Sequence, residues 1–195
     1  MKFNDQRLDS LREIVNVGGG HAATSLAVLT GKRIEMALPD VKLLAYQSLF
    51  TEVLAADEVV DAVYNQIEGD LTGVFLFVVS HETSNLLAQF MTGSSVVSPE
   101  LQQSAVNELG NIIANSFLRA VGDLIGLQVQ ANVPTLMHDV FGALITSTYM
   151  ELEQYDDQIL VIRNEFKYAQ QNLDASLFFI PASGNLEKMF DAIGL

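Results

Sequence analysis

Apolar residues recur at helical spacing over two long stretches of the chain, residues 5–29 and 100–125. In the first stretch they are Leu8, Leu11, Ile14, Val15, Ala22, Leu26 and Leu29. In the second they are Val106, Leu109, Ile112, Ile113, Phe117 and Leu124. A glycine follows each stretch, Gly31 and Gly126, as is typical of a helix carboxyl end. The pattern predicts two long amphipathic helices.

Shorter segments with alternating or continuous apolar residues follow the first helix and predict strands. A strand begins at Arg33, is interrupted at Pro39 and resumes over 41–44, and a loop then follows through Thr51 and Asp57. Two further strands, 59–67 and 71–79, form a hairpin around residues 69–70, and a helix over 81–91 ends at Gly93.

The second helix is followed by a similar series of elements. We predict a strand over 127–133 interrupted by Pro134, a short helix over 136–145, strands over 146–153, 158–166 and 176–180, and a last helix over 185–193. The first half shows no evident equivalent of the helix at 136–145. The connection 167–175 is longer than the hairpin turn of the first half.

Four polar or special residues recur at a constant distance along the chain. Asp9, Glu13, Asn16 and Pro39 are matched, each 95 residues later, by Ser104, Glu108, Asn111 and Pro134. No linker separates the halves, and a unit with one long amphipathic helix buries its strands better against a second copy. The sequence predicts a single α+β domain over 1–195, built from repeats at 5–93 and 99–195. We expect approximate two-fold symmetry and a continuous, mostly antiparallel sheet.

The spacing of the repeated residues places them on one side of each helix. Residues at i, i+4 and i+7 lie within a narrow arc, so Asp9, Glu13 and Asn16 form a polar stripe about 10 Å long. Such a stripe is long enough to contact a partner surface and long for one small substrate.

Composition restricts the class of partner and the compartment. The 195 residues are 49% hydrophobic and carry a net charge of −14, so phosphate backbones of nucleic acids and anionic membranes would be repelled. The chain contains no cysteine, and neither a signal peptide nor a membrane span is evident. We expect a cytoplasmic monomer that binds neither nucleic acid nor membrane. No cluster of metal ligands is evident.

The two motif regions resemble the CheC-type chemotaxis phosphatases, a family that includes the CheC, CheX and FliY proteins. The first reads LREIVNVGGGHAATSLAVLTGKRIEMALPDV and the second AVNELGNIIANSFLRAVGDLIG. In its length and its two copies of the motif, the chain is most similar to CheC, which has two sites. FliY needs an additional domain, and CheX keeps a single site and dimerises. The resemblance implies that the chain hydrolyses the aspartyl phosphate on the response regulator CheY. It also implies binding of the receptor deamidase CheD as a second partner.

The resemblance also implies roles for individual residues. Glu13 and Glu108 would contact the regulator's active-site lysine, and Asn16 and Asn111 would orient the attacking water. Asp9, Ser104, Pro39 and Pro134 complete the motif in supporting positions. The family needs no cofactor of its own, because Mg²⁺ is bound by the regulator. The CheD contact would fall on the helix predicted at 136–145.

These roles agree with the chemistry of the side chains. An acyl phosphate is already activated, so a phosphatase has only to place a water in line with the phosphorus. A neutral amide both donates to and accepts from a water without adding negative charge beside the phosphoryl group. A carboxylate is suited to pair with a lysine. A module that binds phosphorylated regulator or CheD without hydrolysis, or a flagellar-switch adaptor, is the alternative function.

The glycine triplet, Gly18 to Gly20, has two readings. Its spacing fits neither a dinucleotide-binding nor a P-loop motif. Close helix packing is the first reading and contact with the regulator the second, and His21, which follows it, is assigned to surface or packing. The second half has Ile113, Ala114 and Asn115 at the triplet's positions, so we expect the two sites to differ.

Overall fold

The computed structural model describes residues 5–37, 39–152, 158–169 and 171–194, which form six α-helices and eight strands. The helices are α1 (Asp5–Thr30), α2 (Leu49–Glu52), α3 (His81–Thr92), α4 (Pro99–Ile125), α5 (Phe141–Glu151) and α6 (Asn185–Ala192). The strands are β1 (Ile34–Met36), β2 (Asp40–Ala45), β3 (Val59–Gly69), β4 (Gly73–Ser80), β5 (Val129–Ala131), β6 (Thr135–Val140), β7 (Gln158–Tyr168) and β8 (Gln171–Pro181). A 3-10 turn, Tyr46–Ser48, precedes α2.

All eight strands join one sheet, in the order β1-β7-β8-β4-β3-β5, with β2 also pairing with β7 and β6 also pairing with β3. Each of these pairs is antiparallel. The predicted continuous antiparallel sheet is therefore confirmed. The short strands of each half pair with the long strand of the other half, so the halves are interleaved.

The sheet contains the approximate two-fold axis expected from the duplication. At its centre β4 pairs with β8, its counterpart in the other half. Two equivalent strands that lie side by side and antiparallel are related by an axis perpendicular to the sheet. Rotation about that axis superimposes the β1–β7 pair on the β5–β3 pair. It also places the two equivalent helices of each type on the same face of the sheet.

Two apolar cores cover the two faces of the sheet. Along β4, Phe75, Phe77 and Val79 belong to the core beneath α1 and α4, whereas Val74, Leu76 and Val78 belong to the opposite core with α5 and the start of α2. The alternation follows from the period of two in a strand. Because both faces are covered, β4 is buried almost throughout and reads in the sequence as a continuous apolar run.

Helices α1 and α4 pack directly on each other above the sheet. A Cβ atom built on Gly18 would lie 2.8 Å from Val121 and 2.9 Å from Phe117, so the absence of a side chain permits this approach. The hydroxyls of Ser25 and Ser116 form a hydrogen bond of 2.7 Å across the same interface. Gly20 faces open space. Close packing, the first reading of the glycine triplet, therefore applies to Gly18.

Most predicted elements agree with the structure to within two or three residues. Both long helices end at glycines in the left-handed conformation, with φ of 63° at Gly31 and 71° at Gly126. Pro39 lies between β1 and β2, and Pro134 lies between β5 and β6, so both prolines interrupt strands as expected. Leu38 and the end of the predicted strand at 153 lie outside the described residues.

The predicted elements at 136–145 and 146–153 were wrong. Residues 135–140 form strand β6, which pairs with β3, and a helix then runs from Phe141 to Glu151. The segment contains β-branched residues that favour strands, but it buries Leu144, Ile145, Thr148 and Tyr149 at helical spacing. The Thr148 hydroxyl donates to the carbonyl of Leu144 at 2.8 Å, which satisfies it within the helix.

The first half does contain an equivalent of this helix. The 3-10 turn at Tyr46 begins 95 residues before α5, and it continues into the four-residue helix α2 within the segment predicted as a loop. The hairpin predicted as long at 167–175 is instead a short turn, because β7 and β8 extend into it. The element order is therefore the same in both halves.

The contrast between Gly18 and Gly20 gives a stability test. Gly18→Ala inserts a methyl group against buried Phe117 and Val121, and overpacking costs about 1–3 kcal/mol. That cost exceeds the gain of roughly 1 kcal/mol from helix propensity. Gly20→Ala keeps the propensity gain without a clash. Urea unfolding should show a lower free energy of unfolding for Gly18→Ala and a higher one for Gly20→Ala, and equal stabilisation by both would contradict the packing.

Candidate functional site

The first polar stripe lies on the outer surface of α1. Asp9, Glu13 and Asn16 are all exposed, while Leu11, Ile14 and Val15 between them are buried. The helical period thus separates a core side from a solvent side within eight residues. Asp9 forms an ion pair of 2.7 Å with Arg12, and the exposure of both side chains makes this pair a weak contribution to stability. Glu13 and Asn16 are available to a partner surface.

The second stripe occupies the equivalent surface of α4. Ser104 and Glu108 are exposed and Asn111 is half-buried, while Leu109 and Gly110 face the interior. A Cβ on Gly110 would lie 2.5 Å from the Val63 side chain, so the absence of a side chain next to Asn111 lets α4 pack closely on β3. This contact sits directly beneath the stripe and fixes the backbone that carries it.

The two sites differ in how their asparagine is held. The side-chain amide of Asn115 donates to the side-chain oxygen of Asn111 at 3.0 Å and to its backbone carbonyl at 2.9 Å. The corresponding position on α1 is Gly20, which has no side chain to make this bond. This hydrogen bond restricts the side chain of Asn111, and Asn16 has no equivalent restraint from position 20. A carbonyl oxygen accepts two hydrogen bonds, so Asn111 retains capacity for a second donor.

A groove of about 640 Å³ borders the second site, between α4 and β5. Its walls include Asn111, Asn115, Ser116, Arg119, Asp123, Gln128 and Gln130. Ile112, Leu127 and Val129 also line it, so the walls are mixed and carry both signs of charge. Such a lining suits contact with a protein surface better than capture of an apolar ligand. No sequence pattern indicates this groove, because its walls come from separate segments.

The motif prolines do not belong to the polar stripes. Pro39 and Pro134 lie in the breaks between short strands, where a residue without a backbone N–H is tolerated. His21 is exposed at the start of the second half of α1. His21 lies on α1 but not at a stripe position, and the two prolines lie outside the helices.

A separate cluster comprises Asp61, His81 and His138, which the sequence analysis did not bring together. One potential metal-ligand atom from each residue lies within 4.8 Å of those of the other two. The three residues come from β3, α3 and β6, so no sequence spacing could reveal them. Among the described residues, no helix combines the length and apolarity needed to cross a bilayer.

Comparison with known proteins shows which chains are similar to this one in sequence and in fold. A model of the CheC-like family matches residues 8–43, which include the whole first stripe. The CheY-P phosphatase CheC of Bacillus subtilis (strain 168) is 34% identical over 200 residues, covering 98% of this chain and 96% of the relative.

Two solved structures share the fold. The crystal structure of Thermotoga maritima FliY has a TM-score of 0.78 and 20% identity, and the match covers 98% of each chain. CheX in the CheX–CheY–BeF3–Mg²⁺ complex of Borrelia burgdorferi has a TM-score of 0.58 and 16% identity, covering 86% of this chain and 97% of that chain.

Proposed function

The chain belongs to the CheC-like family, and we propose that it is a phosphatase that hydrolyses the aspartyl phosphate of a CheY-type response regulator at two sites. The observation that carries the proposal is the Glu-x2-Asn pair on the solvent side of both long helices, Glu13 with Asn16 and Glu108 with Asn111. It is supported by the nearly full-length similarity to a CheY-P phosphatase and by the CheX relative that forms a complex with CheY.

The proposed reaction is attack by one water molecule on the phosphorus of the regulator's phosphoaspartate. The bond from phosphorus to the aspartate oxygen breaks, the carboxylate is regenerated, and the proton of the water leaves on inorganic phosphate. Asn16 or Asn111 holds the water in line through its amide, and the charge of the phosphoryl group is met within the regulator's own site. The Mg²⁺ that we expect there belongs to the regulator.

Glu13 and Glu108 have a different role in this scheme. One helical turn separates each from its asparagine, so the carboxylate reaches a neighbouring point on the regulator rather than the phosphorus. A lysine beside the phosphorylation site would pair with it. That ion pair fixes the position of α1 or α4 along the regulator surface, and it thereby places the asparagine amide beside the attacking water. We propose CheY as the principal partner, and CheD remains a prediction for the segment 136–145, which spans β6 and the start of α5.

The asparagine pair tests catalysis against mere binding. Asn16→Ala with Asn111→Ala should lower the rate of phosphate release from a purified phosphorylated regulator at least about a hundredfold, because misplacing the water removes the positioning effect. Asn16 is exposed, and half-buried Asn111 loses one hydrogen bond to the exposed Asn115, so the melting temperature should fall only slightly. Asn16→Asp with Asn111→Asp should be equally slow, because a carboxylate repels the phosphoryl group. A double variant as active as the unaltered chain would favour the non-catalytic module.

The glutamates should affect recognition more than turnover. Glu13→Gln with Glu108→Gln removes both lysine contacts and should raise the regulator concentration for half-maximal rate at least about tenfold, since a charge-assisted hydrogen bond contributes about 1.5–3 kcal/mol. The maximal rate should change less. Glu187→Gln, an exposed carboxylate on α6, is the matched control. A fall in maximal rate alone would assign the glutamates to the chemical step instead.

The Asn115–Asn111 hydrogen bond predicts unequal sites. In an Asn16→Ala background, where only the second site acts, Asn115→Ala should reduce the maximal rate by about twofold to tenfold, because the freed side chain must be ordered in each turnover. In an Asn111→Ala background, Gly20→Asn should raise the rate of the first site, and Gly20→Ala serves as its control. Unchanged rates in both backgrounds would show that the hydrogen bond does not position Asn111 for reaction.

A further inference from the structure

Three side chains outside the polar stripes converge where β3, β6 and α3 meet. Asp61 and His138 are directly opposite each other in the β3–β6 ladder, and their Oδ1 and Nδ1 atoms are 2.7 Å apart. His81, the first residue of α3, brings its Nδ1 atom to 3.4 Å from the other carboxylate oxygen of Asp61. Each residue is held by regular secondary structure, which gives the cluster a defined backbone geometry.

Asp61 is the buried member of the cluster. It is only 8% exposed, and a buried carboxylate is costly unless it is paired. Within the part of the chain that the structure describes, its ion-pair partners are the two imidazoles, and no lysine or arginine contacts it. The amino end of α3 contributes partial positive charge as well. The cluster thus brings one carboxylate oxygen and two imidazole nitrogens within 4.8 Å of one another.

The other half of the chain shows that the fold does not require a polar pair here. The position equivalent to His138 is Leu43, 95 residues earlier, and the position equivalent to Asp61 is Leu160, since β7 begins 99 residues after β3. Leu43 and Leu160 are themselves opposite each other in the β2–β7 ladder. The same structural position is thus filled by two apolar residues in one half and by histidine and aspartate in the other.

The geometry points to a metal site, and we propose that Asp61, His81 and His138 bind one divalent transition-metal ion of the zinc class. Two imidazoles and a carboxylate are a donor set that proteins use for zinc with an open fourth position. Tetrahedral zinc requires ligand atoms about 3.3 Å apart. The ligand atoms already lie within 4.8 Å, and the side chains of His81 and His138 are 67% and 58% exposed, so small ring rotations complete the set.

The donor types also select among metals. Imidazole nitrogens suit zinc, copper, nickel and iron, whereas magnesium and calcium prefer oxygen ligands. The exposure of both histidines leaves room for a water molecule at the fourth position. The ion would connect β6, which pairs with β3 at the edge of the sheet, to α3. Its function would be a structural tie between these elements, and it is independent of the proposed phosphatase activity.

Calorimetric titration of the metal-free, untagged chain with Zn²⁺ tests the proposal. We expect one ion per chain with a dissociation constant in the micromolar range or below, and no comparable binding of Mg²⁺. At a Zn²⁺ concentration of about 100 times that constant, the melting temperature should rise by about 5–10 °C. Hydrogen exchange should slow in β6 and at the start of α3. Absence of binding up to millimolar Zn²⁺ would overturn the proposal.

Single variants identify the ligands. His81→Gln and His138→Gln should each weaken Zn²⁺ binding at least about tenfold, whereas His21→Gln, which alters the exposed histidine of α1, should leave it unchanged. Both ligand positions are at the surface, so these variants should fold. Equal affinity in all three variants would place the ion elsewhere and contradict the assignment.

A double variant removes the site while keeping the sheet. Asp61→Leu with His138→Leu copies the pair found at 43 and 160. Replacing a buried ionic group such as Asp61 by an apolar one is often neutral or stabilising, and the exposed position 138 tolerates a change of side chain. We expect this variant to fold, to lose Zn²⁺ binding and to lose the Zn²⁺-dependent rise in melting temperature. Retention of that rise in the folded double variant would refute the site.

Discussion

The pairing of β4 with β8 is the interaction on which the rest of the structure depends. These two central strands are equivalent and antiparallel, they are buried over the residues that pair, 73–79 and 175–181, and their side chains alternate between the two cores. An antiparallel ladder between equivalent strands imposes a two-fold axis perpendicular to the sheet. Neither half forms this sheet alone, because the short strands of each half pair with the long strand of the other half.

The two-fold axis also decides where the candidate sites face. It keeps α1 and α4 on one face of the sheet and reverses their directions, so the helices cross antiparallel. The residues that touch, Gly18 and Ser25 with Ser116, Phe117 and Val121, come after the polar stripe in each helix. The stripes therefore lie on opposite sides of the crossing. Under the proposed function, each stripe therefore has its own docking surface, and two regulator molecules bind without sharing a contact.

Much of the fold followed from the sequence because its signals are local. Helix periodicity, the terminal glycines, the prolines between strands and the constant spacing of 95 residues each act within one element or one repeat. The error at 136–153 arose where local and tertiary preferences disagree. The β-branched residues of α5 favour a strand, but burial of Leu144 and Tyr149 against the second face of the sheet selects a helix. The groove beside Asn111 and the Asp61 cluster depend on contacts between distant segments, which no local pattern encodes.

Comparison of the two repeats distinguishes the residues that the fold requires from those that it does not require. Over residues 5–31 and their counterparts, the halves are identical at only four positions, Glu13, Asn16, Leu29 and Gly31. Gly31 is explained by the left-handed conformation after the helix. Packing positions have diverged, as Gly18 and Ile113 illustrate, because the two sides of an interface can compensate for each other in volume. Glu13 and Asn16 are exposed and contribute nothing to the core, so packing gives no reason for their identity with Glu108 and Asn111. Contact of both helices with the same kind of partner surface, as the proposed function requires, accounts for it.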